Sequence, residues 1–297
     1  MNKLTPVEFR RFEASLDIIE NPAEEIAYQH TVFCQTCLPY KAVSQRTWER
    51  RQGSVFLRVE AGAVRKPKDN EYIDVGLPFG SRPRLILAHL NRQAILYGSP
   101  KIEVEGSLTG FIRRVTPNNA PNTRDISRFK DQLTRFAAAN IRMSVDLTSN
   151  RSYQVNTHII RAMELWLQKD DRQRILWPAF VELSQEYFES LTKHAVPLDE
   201  RAIAALSNSP MALDVYAWLA QRLCRVRSSK GQFIAWPLVH DQFGQGYARL
   251  RDFRRAFLEV LALVHDQYRR ARVTVDERGL TLHESHPPVA GVVARLF

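Results

Sequence analysis

No apolar run in this 297-residue chain approaches the length a membrane-spanning helix needs, and the opening Met-Asn-Lys-Leu-Thr-Pro-Val-Glu lacks the apolar core of a secretory signal. A cytoplasmic protein with no membrane association is expected. Cysteine is scarce: the three present are an odd, widely spaced set, which is no disulfide framework. Cys34 and Cys37 form a Cys-Gln-Thr-Cys pair with His30 four residues earlier, but a structural zinc site wants four ligands and Cys224 lies far away in an apolar helical pattern. Two packed thiols are expected there. No Gly-x-x-x-x-Gly-Lys-Ser/Thr loop occurs, so the chain has no P-loop for nucleotide hydrolysis. A nicking enzyme would need a histidine-cluster metal site and a nucleophilic tyrosine, whereas His283 and His286 stand in a Pro-containing tail at a spacing read as incidental. No catalysis, no cofactor and no metal are expected.

What is abundant is arginine. The net charge of +10 and pI near 9.7 favour a polyanionic partner. The cations are concentrated, since between Arg222 and Arg272 they clearly outnumber the acids. A hydrophobic fraction of 44% and a charged fraction of 25% are ordinary for a globular protein, and the length suffices for two domains with separate cores.

The stretch from Tyr247 to His283 organises the chain. Leu250, Phe253, Phe257, Val260, Leu261 and Val264 recur at steps of three and four, which puts them on one side of a helix. Arg251 and Arg255 fall nearly opposite that stripe, and Arg254 flanks it. Val273 and Val275, then Leu280 and Leu282, alternate with polar residues about Arg278-Gly279, the pattern of a hairpin. A basic helix followed at once by a hairpin is the core of a winged helix-turn-helix, in which the helix fits a major groove and the wing lies along the backbone or minor groove.

Earlier in the chain, prolines 6, 22 and 39 break residues 1–50 into helix-like pieces at Val7 to Ile19 and Glu24 to Gln29, read as an N-terminal arm. Val55, Leu57 and Val59 alternate, as do Tyr72, Ile73 and Val75 after a loop, which suggests one hairpin. Ser81 in capping position opens a buried helix from Pro83 to Tyr97, followed by a short strand at Ile102 and a helix from Leu108 to Val115. A third helix, Asn122 to Asn140, carries Ile126, Phe129, Leu133 and Phe136 on one face and Arg124, Arg128 and Arg135 on the other. A hairpin then spans Ile141 to Ile159 and is read as extending, with Arg161 to Trp166 continuing its strand, Lys169 to Arg174 turning it and Ile175 to Ser184 returning. Helices are expected at Glu186 to His194, Pro197 to Leu206, Ser209 to Leu223 and Pro237 to Phe243, with a strand at Phe233 to Trp236. The order helix, strand, helix, helix, hairpin thus occurs twice. The expected architecture is α+β, two tandem winged-helix domains: an arm at 1–50, a first domain at 51–190 and a second at 191–297. Trp166, Trp177, Trp218 and Trp236, set among apolar neighbours, are read as core and not as stacking platforms.

Five blocks of the sequence, taken together, resemble the plasmid-encoded RepA family of replication initiators. They are Val75-Gly-Leu-Pro-Phe-Gly-Ser-Arg-Pro-Arg-Leu-Ile-Leu, Arg128-Phe-Lys-Asp-Gln-Leu, Val196-Pro-Leu-Asp-Glu-Arg-Ala, Ser209-Pro-Met-Ala-Leu-Asp-Val-Tyr-Ala-Trp-Leu and Gln242-Phe-Gly-Gln-Gly-Tyr-Ala. The resemblance implies binding to repeated double-stranded sites (iterons) in a plasmid origin, help in opening it, recruitment of a host initiator and the replicative helicase, and autorepression as a homodimer. Tyr247, Arg249, Arg251, Arg254, Arg255 and Arg278 are the expected DNA contacts of the second domain, the helix reading bases and Arg278 touching backbone. Arg124, Arg128 and Arg135 in the first domain, partly neutralised by Asp125 and Asp131, are expected to meet phosphate or to form a dimer surface. A transcriptional repressor with no role in replication would need the same groove-binding module, and is the alternative.

Overall fold

The computed structural model describes residues 4–65, 71–103, 110–113, 122–148, 151–163 and 180–289. The first elements are α1 (Pro6–Glu20), β1 (Ile26–His30), α2 (Thr31–Gln35), β2 (Thr47–Gln52), β3 (Val55–Glu60), β4 (Ala63–Arg65), β5 (Tyr72–Asp74) and α3 (Ser81–Tyr97). Next come β6 (Lys101–Glu103), a helical stretch at 110–113, α4 (Thr123–Ala138), β7 (Asn140–Thr148), β8 (Arg151–Thr157), β9 (Ile160–Met163), β10 (Phe180–Leu183) and α5 (Gln185–His194). The chain continues with β11 (Ala195–Asp199), α6 (Glu200–Leu206), α7 (Pro210–Arg222), β12 (Gln232–Ala235), α8 (Trp236–Phe243), α9 (Leu250–Gln267), β13 (Val273–Val275) and β14 (Gly279–Leu282). This is a mixed helix-and-strand fold, the α+β class that the pattern of periods indicates.

The division into units departs from the expected one. One compact unit is residues 38–193; the other joins the two ends of the chain, 1–37 with 194–297. The first 37 residues are therefore part of the C-terminal unit, and the stretch from 38 onward belongs to the central one. What a local reading treats as an arm is held by long-range pairing, because residues 26–30 form strand β1 against β11 in antiparallel register, Ile26 opposite Asp199 and His30 opposite Ala195. The helix expected to begin at Pro197 accordingly starts at Glu200, with Asp199 as its N-cap accepting from the amide of Arg201.

In the central unit, a four-stranded antiparallel sheet has the order β2-β3-β7-β8. Val55, Leu57 and Val59 are buried on one face of β3 while Phe56, Arg58 and Glu60 are partly exposed on the other, the period-2 division of a half-buried strand. The expected pairing of β3 with Tyr72–Val75 is not what forms: β3 pairs with β2 and β7, and β5 pairs with β4. Both choices satisfy the alternation, so local pattern could not rank them. Gly80, not Ser81, is the N-cap of α3, at φ 78, where a side chain would be strained. Helix α4 starts with Asn122 capping the amide of Asp125 and buries Phe129, Leu133 and Phe136. The expected hairpin tip at 169–174, Trp166, Trp177 and most of the helix at 108–115 lie outside the described residues.

In the unit made of both chain ends, α9 lies on α7, α8 and α1. Its buried face is Phe253, Phe257 and Val264, while Leu250, expected in that stripe, is 40% exposed at the first position of the helix. Phe243, Phe253 and Phe257 form an aromatic chain with centroids 5.4–5.7 Å apart, flanked by Trp218 and Trp236. Those two tryptophans are 3% and 2% exposed, as core residues should be.

The two units repeat one arrangement. In each, a helix, a strand, a helical stretch and a long arginine-bearing helix precede a pair of antiparallel strands, and the last strand sits in the middle of a three-stranded sheet: β6-β10-β9 in one and β12-β14-β13 in the other. In the central unit the β7–β8 strands are inserted before that pair.

Candidate nucleic-acid interface

Helix α9 begins at Leu250 with Arg249 in the N-cap position and no side chain capping its first turn. Open amides at the positive end of an 18-residue helix favour an anion. Around that end stand Arg249 and Arg255, both exposed and without an ion-pair partner among the described residues. Arg251 is 84% exposed and lies 3.6 Å from the Asp252 carboxylate. Farther along the same exposed side the sign changes, with Glu259 and Asp266 in place of arginine, so the basic surface is confined to the N-terminal half of the helix. Tyr247 is half-buried; its ring packs on Phe253 and its carbonyl is 2.9 Å from His240 Nε2, which fixes the chain entering α9.

Arg254 points elsewhere. Its guanidinium donates to the carbonyls of Asp276 and Glu277, both at 3.3 Å, and lies 5.2 Å from the centre of the Trp236 ring. The Trp236 indole also donates to the Asp276 carbonyl, at 3.1 Å. The β13–β14 turn is thus tied to α8 and α9 at once. Within the turn, Asp276 accepts from the amides of Arg278 and Gly279 at 2.7 and 2.9 Å, and those two bonds hold its carboxyl below the usual range. Arg278 projects from the turn, 84% exposed, 3.7 Å from Asp276 and over the Phe233 ring at 5.7 Å. Gly279 is not needed for a left-handed turn, contrary to the expectation from its place in the hairpin. A Cβ there would lie 2.1 Å from the Ile234 carbonyl oxygen, so glycine is required for close approach of β14 to β12.

Of the three arginines of α4, Arg124 and Arg128 are exposed. Arg135 is turned against its own unit: it pairs with Asp131 at 2.9 Å, lies over the Phe79 ring at 5.4 Å and abuts Gly76, whose absent Cβ would sit 2.5 Å from its Nη1. Arg82, at the start of α3, joins this edge through Asp125 at 3.3 Å, and burial followed by the nearby Arg128 lowers its pKa. The structure therefore gathers Tyr247, Arg249, Arg251, Arg255 and Arg278 around α9 and its hairpin, gathers Arg124 and Arg128 on α4, and gives Arg254 and Arg135 internal contacts. Trp236, Phe233 and Asp276, which shape the first group, were not singled out from sequence as site residues; the Asp two residues before Arg278 was the available signal, since Asp caps such turns.

The Cys-Gln-Thr-Cys segment is buried. His30 caps α2 by accepting from the Val32 amide at 3.2 Å, Cys34 and Cys37 are free thiols, and burial pushes the Cys34 thiol pKa up. Among the described residues, no group of three or more His, Cys, Asp or Glu is placed to hold a metal ion, and no helix is long and apolar enough to cross a membrane.

The fold and its basic helix-and-hairpin edge define a mixed α+β protein with a surface suited to a polyanion. The family model described as plasmid encoded RepA protein matches residues 77–242, and the chain belongs to that family of plasmid replication initiators. Among solved structures the chain is similar to two crystal structures of domains 2 and 3 of RctB. A selenomethionine derivative shows 9% identity and a TM-score of 0.47 over 80% of this chain and 83% of that one. The other shows 10% identity and a TM-score of 0.47 over 83% and 85%. Comparison with curated proteins gives no match.

Proposed function

We infer that this replication initiator binds repeated double-stranded sites in a plasmid origin through two winged-helix modules, one in each unit. The observation that carries the reading is the edge of α9: Arg249, Arg251 and Arg255 stand at the open N-terminal half of the helix, beside a hairpin turn bearing Arg278 that Arg254 and Trp236 tie to the same helix. A helix entering a major groove N-terminus first reads base edges with such side chains while a hairpin cation meets the backbone. The repeated order, with the last strand central in each three-stranded sheet, supports the winged-helix interpretation. Opening of the origin, recruitment of a host initiator and helicase, and autorepression by a homodimer follow from the family resemblance. The reading includes no catalytic step, cofactor or metal, and the protein acts in the cytoplasm on DNA.

The test is competition binding with origin repeats against random duplex. Arg251→Ala and Arg255→Ala should each reduce the preference for the repeat by about 1–3 kcal/mol, roughly 5- to 150-fold, with the fold unchanged. Equal loss on both duplexes would mean these residues touch only phosphate, and no preference in the parent protein would reject the reading.

A further inference from the structure

Leu250 belongs by period to a stripe whose members Phe253, Phe257 and Val264 are fully buried, yet it is 40% exposed at the first position of α9. A single leucine on a protein surface is ordinary. This one stands inside the arginine edge: Ala248 and Arg249 before it and Arg251 after it are all exposed. At 100° per residue, Arg249 and Arg251 fall about 100° to either side of Leu250, and Arg254 follows one turn on, about 40° away. Arg254 is engaged by the Asp276 and Glu277 carbonyls. The carboxylate of this first turn, Asp252, is half-buried and lies 3.6 Å from Arg251.

The backbone holds Leu250 in this place from both sides. The amides of Asp252 and Phe253 donate to the Arg249 carbonyl, each at 3.1 Å, which closes the turn that carries it. Upstream, the Tyr247 amide donates to the Gly244 carbonyl at 3.0 Å, the Tyr247 carbonyl lies 2.9 Å from His240 Nε2, and its ring packs on Phe253. A side chain presented on a fixed turn loses little conformational freedom when a ligand covers it.

The surface is thus aliphatic at its centre and cationic on both flanks. Its complement is an anionic ligand that offers a small apolar group between charged or polar ones. On the base edges of a major groove the apolar group is the 5-methyl of thymine, and the arginine partners beside it are guanine O6 and N7. Resting on the groove-binding role proposed for α9, we propose that Leu250 is a specificity-determining residue that recognises the 5-methyl group of a thymine next to the base pairs read by Arg251 and Arg255. The repeat should then carry a thymine beside a guanine, and its preference should depend in part on a group that forms no hydrogen bond.

The experiment titrates the full chain against the origin repeat with each thymine replaced in turn by 2′-deoxyuridine, which removes the methyl group and keeps the base pairing and the charge. Substitution at one thymine should weaken binding about fourfold, the effect of uncovering one methyl-sized group. Leu250→Ala should bind the unmodified repeat weaker by at least that factor, bind random duplex as the parent does, and no longer distinguish thymine from uracil at that position. The volume-conserving Leu250→Met should keep the distinction. A uracil scan without effect, in a protein that prefers the repeat to random duplex, would overturn the proposal while leaving the role of α9 intact. So would a methyl effect that persists in Leu250→Ala, or an equal loss on both duplexes. A parent protein with no preference for the repeat would reject the role of α9 itself, and this proposal with it.

Discussion

Replacing Arg254 with alanine removes the link between α9 and the β13–β14 turn. Its two bonds to the Asp276 and Glu277 carbonyls, each 3.3 Å, are long and solvent-screened, so about 0.5 kcal/mol apiece is appropriate. The contact with the Trp236 ring adds about 0.5–1 kcal/mol. A loss of about 1.5–2 kcal/mol follows, which lowers the melting temperature by roughly 3–8 °C. The consequence for binding is separate. If Arg254 acts by aiming Arg278 at a phosphate, either single substitution removes one contact, about 0.9 in the slope of log affinity against log salt. The double variant then loses no more than the larger single loss. Fluorescence anisotropy with a labelled origin repeat at several salt concentrations reads this directly. A combined loss near twice the single one would show that Arg254 touches a phosphate of its own. A lowered melting temperature with an unchanged slope would confine its role to holding the fold.

Two further outcomes follow from packing and protonation. Gly279→Ala puts a methyl group 2.1 Å from the Ile234 carbonyl oxygen and 2.9 Å from the Ala235 Cα, both backbone atoms, so it should destabilise by more than about 2 kcal/mol in denaturant titration; a neutral result would refute the close approach of β12 and β14. Burial, and then the neighbouring His194, depress the His30 pKa to about 3. The unfolded imidazole, near 6.5, takes up a proton that the folded one refuses, so this contribution to stability is complete above about pH 6.5 and is lost as pH falls toward 3, with a slope of up to about 1.4 kcal/mol per pH unit. His30→Asn keeps an acceptor for the Val32 amide but cannot titrate, and should flatten stability between pH 6.5 and 5; an unchanged slope would refute the assignment.

Three helices were legible in the sequence: an apolar stripe of period 3.6 marks α4 and α9, and Ser209-Pro210 opening an apolar run marks α7. The hairpin at 273–282 was legible by its alternation about Arg278-Gly279. Three features were not. Residues 26–30 and 195–199 become strands only because they pair with each other across the chain, and each alone reads as part of a helix. The partner of β3 was ambiguous, since any alternating strand fits its face. The arginines of α9 and α4 were assigned by helix face, which separates exposed from buried but cannot reveal that Arg254 bends to a hairpin or Arg135 to Phe79. The blocks that carry the family resemblance prove to be buried junctions. Arg84 donates to the Leu38 carbonyl at 2.8 Å, Gln132 accepts from the Phe79 amide at 2.8 Å, and Tyr216 accepts from the Asp199 amide at 3.0 Å. Such polar groups, removed from water, must keep their partners, so these motifs identify a fold more directly than a DNA surface.

The discontinuous unit makes a strong claim about where DNA binding resides. A fragment Val196–Phe297 contains Tyr247, the arginines of α9 and Arg278, and on local reasoning it would be a complete domain. It would lack β1, the sole partner of β11 among the described strands, along with α1 and α2. Removing residues 1–37 strips away Ala27, Val32, Phe33, Cys34 and Cys37, all at most 4% exposed, and severs the bonds from Gln242 to the Gln35 carbonyl at 2.9 Å and from Gln221 to Thr31 at 3.3 Å. Burial of a large aliphatic or aromatic side chain contributes about 1.5–3 kcal/mol, so several together rival the 5–15 kcal/mol that typically separates a folded domain from its unfolded chain. The fragment should therefore show no cooperative unfolding and no preference for origin repeats, although it keeps every cation of the α9 edge. Co-expression with residues 1–37 should restore both. A fragment that unfolds cooperatively by itself and binds the repeats with the affinity of the intact protein would show that the N-terminal residues are dispensable to the unit.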